Sequence, residues 1–175
     1  TDNKRSLFEK AYHFVKNIAL KNKLSLINSE QSQKGRILDI GAGTGDFLLT
    51  AKNDGWETVG VEPSQRARNI AIQKGISFVN EISALQNNSF DVITMWHVLE
   101  HVPNLELQIE ELKRLLKPTG TLIVAVPNFK SYDANYYKEF WAAYDVPRHF
   151  WHFSKKAIQS LFEKVDMKLE KVLPM

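Results

Sequence analysis

Apolar residues follow two alternating patterns along the chain: short continuous runs, and stretches with one apolar residue every three or four positions. Continuous runs of about four to eight residues are typical of buried strands, and the wider spacing is typical of helices. The runs predict strands at 36–40, 58–62, 76–79, 90–96 and 121–126, with a further candidate at 168–172. Helices are predicted at 46–53, 64–74 and 154–162, and around Leu105, Ile109, Leu112 and Leu116, ending at Pro118 and Gly120. Strands alternating with helices indicate an α/β fold with a mostly parallel sheet.

The N-terminal region has a different pattern. Apolar residues near helical spacing predict a helix or helix pair before a polar break at 28–34; they are Leu7, Ala11, Phe14, Ile18 and Leu26. Residues 1–36 also hold eight basic and three acidic side chains. Because the lysines interleave with the apolar stripe, we interpret them as the solvated face of a helix. A basic surface for nucleic acid is the alternative.

Composition narrows the chemistry. The 175 residues carry a net charge of +3 and include no cysteine, so this sequence offers no disulfide, thiolate metal site or cysteine nucleophile. No apolar run approaches the roughly 20 residues of a membrane-spanning helix, and no signal-peptide pattern opens the sequence. We therefore expect a cytoplasmic protein with no membrane partner.

A glycine-rich turn follows the first predicted strand. Gly41, Ala42, Gly43 and Gly45 lie between that strand and a predicted helix. Glycines permit a tight turn against which a ligand can lie on bare backbone, and N–H groups at a helix start attract negative charge. Glu62 ends the second predicted strand, where its carboxylate can accept hydrogen bonds from two ribose hydroxyls. The turn and this carboxylate predict a nucleoside-binding site.

Two cofactors could occupy such a site. The dinucleotide fingerprint G-x-G-x-x-G requires a third glycine where this chain has Asp46, and a carboxylate there would repel a pyrophosphate. S-adenosylmethionine has no phosphate and carries a sulfonium cation, so an acid beside the turn is tolerable. The residues favour S-adenosylmethionine over NAD.

The chain resembles class I S-adenosylmethionine-dependent methyltransferases, and most closely their small-molecule branch, which includes quinone-biosynthesis O-methyltransferases. Five ordered segments carry the resemblance: ILDIGAGTGDF at 37–47, VGVEPS at 59–64, NSFDVITMWHVLEHV at 88–102, ELKRLLKPTGTLIVAVPN at 111–128 and DVPRHFWHFS at 145–154. The resemblance implies a Rossmann-like, doubly wound sheet with helices on both faces. It also implies a sixth and a seventh strand, for which this sequence offers one candidate.

The resemblance assigns cofactor roles to specific residues. The three turn glycines would line the methionine part, with Asp39 reaching its amine. Glu62 would hold the ribose, with Pro63 beside the adenine. The remaining residues would border the adenine or close over the cofactor: Asn80, Glu81, Ile82, Met95, Trp96 and His97. This chain departs from the family at Asn80-Glu81, where an Asp is usual, and at Pro118-Thr119-Gly120, where Pro-Gly-Gly is usual.

The histidines suggest a second interpretation. His97-Val-Leu-Glu100-His101 matches H-x-x-E-H, a zinc-peptidase motif. The pattern lies at the end of a predicted strand and the sequence offers no convincing third ligand, so we expect no metal.

An aromatic segment at 128–153 holds 10 of the chain's 19 aromatic residues. A connection this long within a compact domain is usually functional, and we expect a hydrophobic lid over a substrate pocket. An acceptor oxygen, nitrogen or carbon would attack the sulfonium methyl in line, and a hydroxyl acceptor would benefit from a general base. His149 is the first candidate base, followed by His97, His152 and Tyr144.

We therefore expect one methyltransferase domain over residues 1–175. Its predicted parts are an N-terminal helical cap (1–35), a cofactor-binding core (36–127), the aromatic lid (128–153) and a C-terminal helix and strand (154–175). A small-molecule acceptor is favoured. RNA or protein methylation, a non-catalytic S-adenosylmethionine-binding module and an NAD-dependent oxidoreductase are the alternatives. The sequence leaves the acceptor and the oligomeric state open.

Overall fold

The computed structural model describes the backbone of residues 2–174 and the side chains of residues 9–174. The strands are β1 (Arg36–Ile40), β2 (Glu57–Val61), β3 (Ser77–Val79), β4 (Phe90–Trp96) and β5 (Leu116–Ala125). The helices are α1 (Asp2–Glu30), α2 (Asp46–Asn53), α3 (Gln65–Gln73), α4 (Leu105–Leu115), α5 (Tyr132–Tyr137) and α6 (Lys155–Glu163). Short 3₁₀ helices lie at Ile82–Ala84, Leu99–His101, Lys138–Phe140 and Ala142–Tyr144.

The strands form a parallel sheet in the order β3-β2-β1-β4-β5, flanked by helices. This arrangement confirms the predicted α/β, doubly wound class. The chain divides into two compact units, one up to Asn80 and the other from Glu81 onward. The prediction of a single domain stays a prediction.

The first unit is built on β1, β2 and β3. β1 pairs with β2 from Arg36 opposite Glu57 to Ile40 opposite Val61. Four of the five β1 residues are buried, as expected of an interior parallel strand. Trp56 is also buried, and its indole Nε1 donates to the Asn28 side chain at 3.1 Å, which joins the end of α1 to the start of β2.

Helix α1 is a single helix, and among its described side chains (residues 9–30) burial is confined to the C-terminal part. Ile27 is fully buried. Ala11, Phe14 and Ile18, whose spacing predicted the helix, are exposed, and Phe14 is 66% exposed. The spacing predicted the helix but not which of its faces is covered. Leu7 lies outside the residues whose side chains are described.

The second unit is built on β4 and β5. Their register runs from Val92 opposite Thr121 to Trp96 opposite Ala125. Helix α4 buries one face against this pair, and the buried residues are Leu105, Ile109, Leu112 and Leu115. The predicted helical spacing is confirmed for the first three of these positions.

Three predictions in the second unit were wrong. Leu116 begins β5 instead of ending α4; Pro118 favours an extended backbone just before it, which ends the helix early. The 121–126 run was expected to be covered on both faces, yet residues 121–124 are half-buried, because β5 is the last strand in the order and β4 is its one neighbour. The candidate strand at 168–172 is irregular backbone without a strand partner among the described residues.

Candidate active site

The glycine turn, residues 41–45, adopts a backbone that requires glycine. Gly41, Gly43 and Gly45 have positive φ angles of 76°, 53° and 74°, which side chains disfavour. The N–H groups of Gly41 and Ala42 both donate to the Val61 carbonyl, at 2.8 and 3.1 Å. The turn is therefore fixed to the end of β2 by its own backbone, and these two N–H groups are not directed at a ligand.

Glu62 lies directly against the glycine turn. Its Oε2 accepts the Gly43 N–H at 2.9 Å, and its Oε1 accepts the Ser64 N–H at 2.8 Å. Each carboxylate oxygen has a second lone pair, so both can accept a further hydrogen bond. The sequence predicted that the turn and this carboxylate would meet, and the structure brings them into contact.

Gly43 and Gly45 have different surroundings. A methyl group added at Gly43 would meet no heavy atom within 4 Å, so open space lies beside its backbone. A methyl group at Gly45 would lie 2.8 Å from the Ala71 Cβ. Gly43 therefore leaves room for a ligand, whereas Gly45 allows α2 and α3 to pack closely.

Asp46, the first residue of α2, is compensated by two lysines. Its carboxylate contacts Lys16 Nζ at 2.7 Å and Lys74 Nζ at 2.8 Å, and it accepts the Thr44 hydroxyl at 2.7 Å. Burial opposes ionisation, but these hydrogen bonds outweigh it and hold the pKa of Asp46 well below its usual range. Because the two lysines compensate its charge, Asp46 is a weaker obstacle to a pyrophosphate than the sequence suggested. The missing third glycine still departs from the dinucleotide fingerprint.

Asp39 lies in β1 beneath the turn and is 2% exposed. Lys23 of α1 is its charged neighbour: burial lowers the pKa of Lys23, and the charge of Asp39 acts in the opposite direction. The sequence pattern gave no sign of Lys23, because the two residues lie far apart in sequence, one in an N-terminal helix and the other in a strand. A buried acid beneath the turn is compatible with the predicted amine contact.

The loop after β2 is held by Arg68, which the sequence analysis also missed. Its guanidinium donates to the carbonyls of Glu62 at 2.5 Å and Pro63 at 3.1 Å. Pro63 itself is exposed. Arg68 fixes the backbone that carries the Glu62 carboxylate.

The residues expected to border the adenine lie where the sequence passes from the first unit to the second. Asn80 ends the first unit and Glu81 begins the second, and both side chains are exposed. Ile82 begins a 3₁₀ helix whose carbonyl accepts from Arg114 of α4 at 3.1 Å. Asn80 and Glu81 are open to solvent and Ile82 is half-buried, and the assignment of the three residues to the adenine stays a prediction.

Met95, Trp96 and His97 follow one another at the end of β4. Met95 is fully buried, whereas the His97 side chain is 54% exposed. His97 has a φ of 58°, which is uncommon for a residue with a side chain and is often found at functional sites. A buried Met95 fits a packing role, and the predicted cofactor contacts of these residues stay predictions.

The aromatic segment is closed at its base and anchored along its length. Asn128 and Phe153 form a parallel bridge, and Phe129 N–H donates to the Phe153 carbonyl at 3.0 Å. Near its end, the N–H groups of Phe150 and Trp151 both donate to the Glu100 carbonyl, at 2.9 and 3.3 Å. The segment is therefore an ordered loop that packs on the 3₁₀ helix Leu99–His101.

The aromatic segment also encloses an open cavity of about 670 Å³. The lining residues are Phe129, Ala134, Asn135, Lys138, Glu139, Tyr144 and Val146. Several aromatic rings of the segment face solvent, with Phe140 82% exposed. The cavity wall therefore presents aromatic, amide and charged groups.

The candidate bases in this segment are partly engaged with backbone. His149 is 8% exposed, and its Nδ1 contacts the Ala143 carbonyl at 2.8 Å. His152 contacts the Tyr144 carbonyl through Nε2 at 2.9 Å, and the two rings meet edge to face. The structure brings His149, His152 and Tyr144 together, and the cavity wall includes Tyr144.

His97 and His101 do not share a helix face. The 3₁₀ helix begins at Leu99, so His97 precedes it, and the His97 ring faces Glu100 with Nδ1 3.6 Å from Oε1. The zinc-peptidase geometry implied by H-x-x-E-H is therefore absent from this part of the described chain.

A parallel α/β sheet with a glycine turn after its first strand and a carboxylate after its second defines a nucleotide-binding α/β domain. Residues 9–172 match the family model of the methyltransferase domain. The chain belongs to this family.

Several known proteins that are similar in sequence or structure are methyltransferases. A ubiquinone biosynthesis O-methyltransferase of Actinobacillus pleuropneumoniae is 34% identical over 131 residues, which cover 65% of this chain and 56% of the relative. A crystal structure of a SAM-dependent methyltransferase from Thermotoga maritima, described as a possible histamine N-methyltransferase, is 26% identical with a TM-score of 0.66; the match covers 89% of this chain and 74% of that one. Magnesium protoporphyrin IX methyltransferase from Synechocystis, solved with bound SAH, shares the fold at 15% identity and a TM-score of 0.69, over 87% of this chain and 74% of that one. The chain spans about half the length of the curated relatives it matches.

In the described part of the chain, every helix is too short or too polar to cross a membrane.

Proposed function

We propose that this domain binds S-adenosylmethionine and transfers its methyl group to a hydroxyl of a small aromatic acceptor. The observation that carries the proposal is the open space beside the Gly43 backbone, next to the carboxylate of Glu62. A nucleoside with a short polar tail needs such a space and such an acceptor for its ribose hydroxyls. The family membership and the names of the relatives support the same chemistry.

On the cofactor side, this chain supplies binding and orientation. Both Glu62 oxygens retain a lone pair for a ribose hydroxyl, and Arg68 holds the backbone that presents them. Gly43 permits close approach, and Asp39 supplies a negative charge beneath the turn. When bound, S-adenosylmethionine supplies an activated methyl group, so the protein mainly contributes alignment and exclusion of water, effects worth up to about 7–11 kcal/mol.

On the acceptor side, the aromatic segment supplies a cavity. Phe129 and Tyr144 provide ring surfaces on its wall, and Asn135, Lys138 and Glu139 provide polar groups. Aromatic rings favour stacked or edge contacts with another ring. This composition, with the O-methyltransferase name of the relative, favours a hydroxylated aromatic acceptor.

His97 is the general base in this proposal. It follows β4 at the carboxyl edge of the sheet, where ligands bind in open α/β sheets, and more than half of its side chain is exposed. The Glu100 carboxylate, 3.6 Å from its Nδ1, can orient the ring and stabilise the imidazolium after proton transfer. His149, the first candidate from the sequence, is more deeply buried and serves as the comparison.

Transfer of a radiolabelled methyl group from S-adenosylmethionine tests the proposal. The acceptors are a panel of catechols and polyphenols, histamine as a nitrogen acceptor, and an unstructured RNA. We expect labelling of a hydroxylated aromatic acceptor, and His97→Ala to lower kcat about 10²–10⁴-fold. His149→Ala is the comparison variant for His97→Ala.

Three other results of the transfer assay would change the proposal. Cofactor binding without transfer to any acceptor would support a non-catalytic module, and labelling of RNA alone would overturn the small-molecule acceptor. Loss of transfer in His149→Ala but not in His97→Ala would reassign the base. A cytoplasmic location and the exclusion of nucleic acid remain part of this proposal.

A further inference from the structure

Three potential metal ligands meet in the second unit, away from the glycine turn in sequence. Glu100 and His101 belong to the 3₁₀ helix Leu99–His101, and His149 belongs to the aromatic segment. One ligand atom from each lies within 4.8 Å of the other two. Two imidazoles and one carboxylate are a common ligand set for divalent transition metals.

Glu100 is buried without a compensating hydrogen bond. The residue is 1% exposed, and among the described residues neither carboxylate oxygen has a hydrogen-bond partner. A buried carboxylate is costly unless it is paired, hydrogen-bonded or bound to a metal. A cation held by both oxygens, or by one oxygen and a neighbour, would satisfy this group.

In both histidines, one ring nitrogen, Nδ1, is held by a backbone carbonyl. Nδ1 of His101 lies 2.9 Å from the Arg148 carbonyl, and Nδ1 of His149 lies 2.8 Å from the Ala143 carbonyl. Because a carbonyl only accepts, each neutral ring donates through Nδ1 and keeps the lone pair on Nε2. Metal-binding histidines usually have this arrangement, with the other ring nitrogen donating to a carbonyl or carboxylate.

The backbone holds these side chains in place before any ion binds. The Glu100 carbonyl accepts the N–H groups of Phe150 and Trp151. The Trp151 indole donates to the Val102 carbonyl at 2.7 Å. These hydrogen bonds join the 3₁₀ helix Leu99–His101 to the aromatic segment. Less conformational entropy is therefore lost when an ion binds.

We propose that Glu100, His101 and His149 bind one divalent transition-metal ion, with zinc preferred. Zinc bonds of about 2.0–2.2 Å place tetrahedral ligand atoms roughly 3.5 Å apart, so binding would draw the three side chains together by about 1 Å. Asp145, with Oδ2 3.7 Å from His149 Nε2, adds a further negative charge beside the site.

The metal site shares Glu100 with the proposed methyl transfer, where Glu100 faces His97. It departs from the sequence-based expectation of no metal, which rested on the lack of a third ligand near His97 and His101. His149 supplies that ligand from 48 positions further along the chain than His101. A metal on Nε2 of His149 would prevent that atom from accepting a proton, which agrees with His97 as the base.

Isothermal titration with Zn²⁺ on the chelator-treated protein, together with metal analysis of the purified protein, tests the site. We expect one equivalent of zinc, and a loss of affinity of at least about 100-fold in Glu100→Gln, His101→Ala and His149→Ala. The matched controls are His13→Ala and Glu110→Gln, both at exposed positions, which should bind like the unaltered protein. Circular dichroism of each variant checks that it is folded.

An anomalous difference map at the zinc edge, from crystals of the unaltered protein, keeps the test decisive if a variant fails to fold. A peak between Glu100, His101 and His149 supports the proposal. A peak elsewhere, or no zinc binding at millimolar concentration, overturns it. Equal affinity of Glu100→Gln and the unaltered protein would also overturn it, because a buried carboxylate that binds no metal can be replaced by its amide. None of these readouts depends on methyl transfer, so failure of the metal site and failure of the proposed function are distinguishable.

Discussion

Glu62 accepts the backbone N–H of Gly43 at 2.9 Å, so the carboxylate that follows β2 lies directly on the turn that follows β1. Two short loops, separated by about 20 residues of chain, thereby form one polar surface with open space beside it. The account of cofactor binding depends on this contact.

Glu62→Gln is expected to weaken S-adenosylmethionine binding about 10–100-fold, because hydrogen bonds to a charged acceptor are worth about 1.5–3 kcal/mol. Calorimetric titration measures the change. Glu57→Gln is the matched control, since Glu57 begins the same strand and pairs with Arg36 instead of the turn. Equal losses in the two variants would contradict a specific ribose contact.

Gly43→Ala is expected to weaken cofactor binding at a small cost to stability, whereas Gly45→Ala is expected to cost more stability. At Gly43 the methyl group enters open space, so the cost to folding is the strain of a positive φ, about 1–2 kcal/mol. Cofactor affinity should fall about 10-fold or more, equivalent to about 1.4 kcal/mol.

At Gly45 the methyl group would lie 2.8 Å from the Ala71 Cβ. The same backbone strain, about 1–2 kcal/mol, is then joined by overpacking of about 1–3 kcal/mol. Urea unfolding measures the free energy, and calorimetry measures the affinity. Full affinity in Gly43→Ala would mean that no ligand lies against that backbone.

Asp46 is expected to stabilise the fold in a pH-dependent way. Its folded-state pKa is held below the unfolded value, so its contribution is present above the unfolded pKa and is lost as the pH falls toward the folded pKa. Asp46→Asn should cost about 1–2 kcal/mol near neutral pH, and the difference from the unaltered protein should shrink below about pH 4.

Urea unfolding between pH 7 and pH 2 measures this difference. Glu110→Gln, at an exposed position of α4, is the control and should show a smaller effect. A difference that stays constant down to pH 2 would show that the ion pairs with Lys16 and Lys74 do not stabilise the fold.

Trp151→Phe is expected to loosen the aromatic segment. The substitution removes the hydrogen bond from the indole Nε1 to the Val102 carbonyl and keeps most of the ring, a loss of about 1 kcal/mol. Limited proteolysis should then cut the segment faster. Trp141→Phe is the matched control, because the Trp141 ring meets Tyr144 edge to face in the same segment; equal cleavage of both variants would contradict the anchor.

Ser154→Ala is expected to destabilise the fold by about 1 kcal/mol. The Ser154 side chain caps α6 by accepting the Ala157 N–H at 3.2 Å. Ser160→Ala, at an exposed position inside the same helix, should be neutral or slightly stabilising, since alanine is the better helix former. The change in urea midpoint measures both.

Much of the fold could be predicted from local patterns. The bounds of β1, α2 and β4 follow the predicted ranges, because an apolar run or a glycine turn marks each end. The predicted start of the last helix at position 154 coincides with its cap, Ser154, and the contact of Glu62 with the turn followed from the geometry of parallel strands.

The remaining features depend on contacts between distant positions, which no local pattern reveals. Lys16 and Lys74 reach Asp46 from 30 and 28 residues away, so the compensation of its charge could not be predicted. His149 meets Glu100 through the fold of the aromatic segment. The exposure of Phe14 was also missed, because helical spacing indicates an apolar face without indicating what covers it.

Calorimetric titration of the unaltered protein with S-adenosylmethionine, with NAD in parallel, tests the central claim most directly. The account predicts one saturable site for S-adenosylmethionine that Gly43→Ala weakens, and no comparable binding of NAD. Tight NAD binding, or no binding of S-adenosylmethionine by a folded protein, would contradict it.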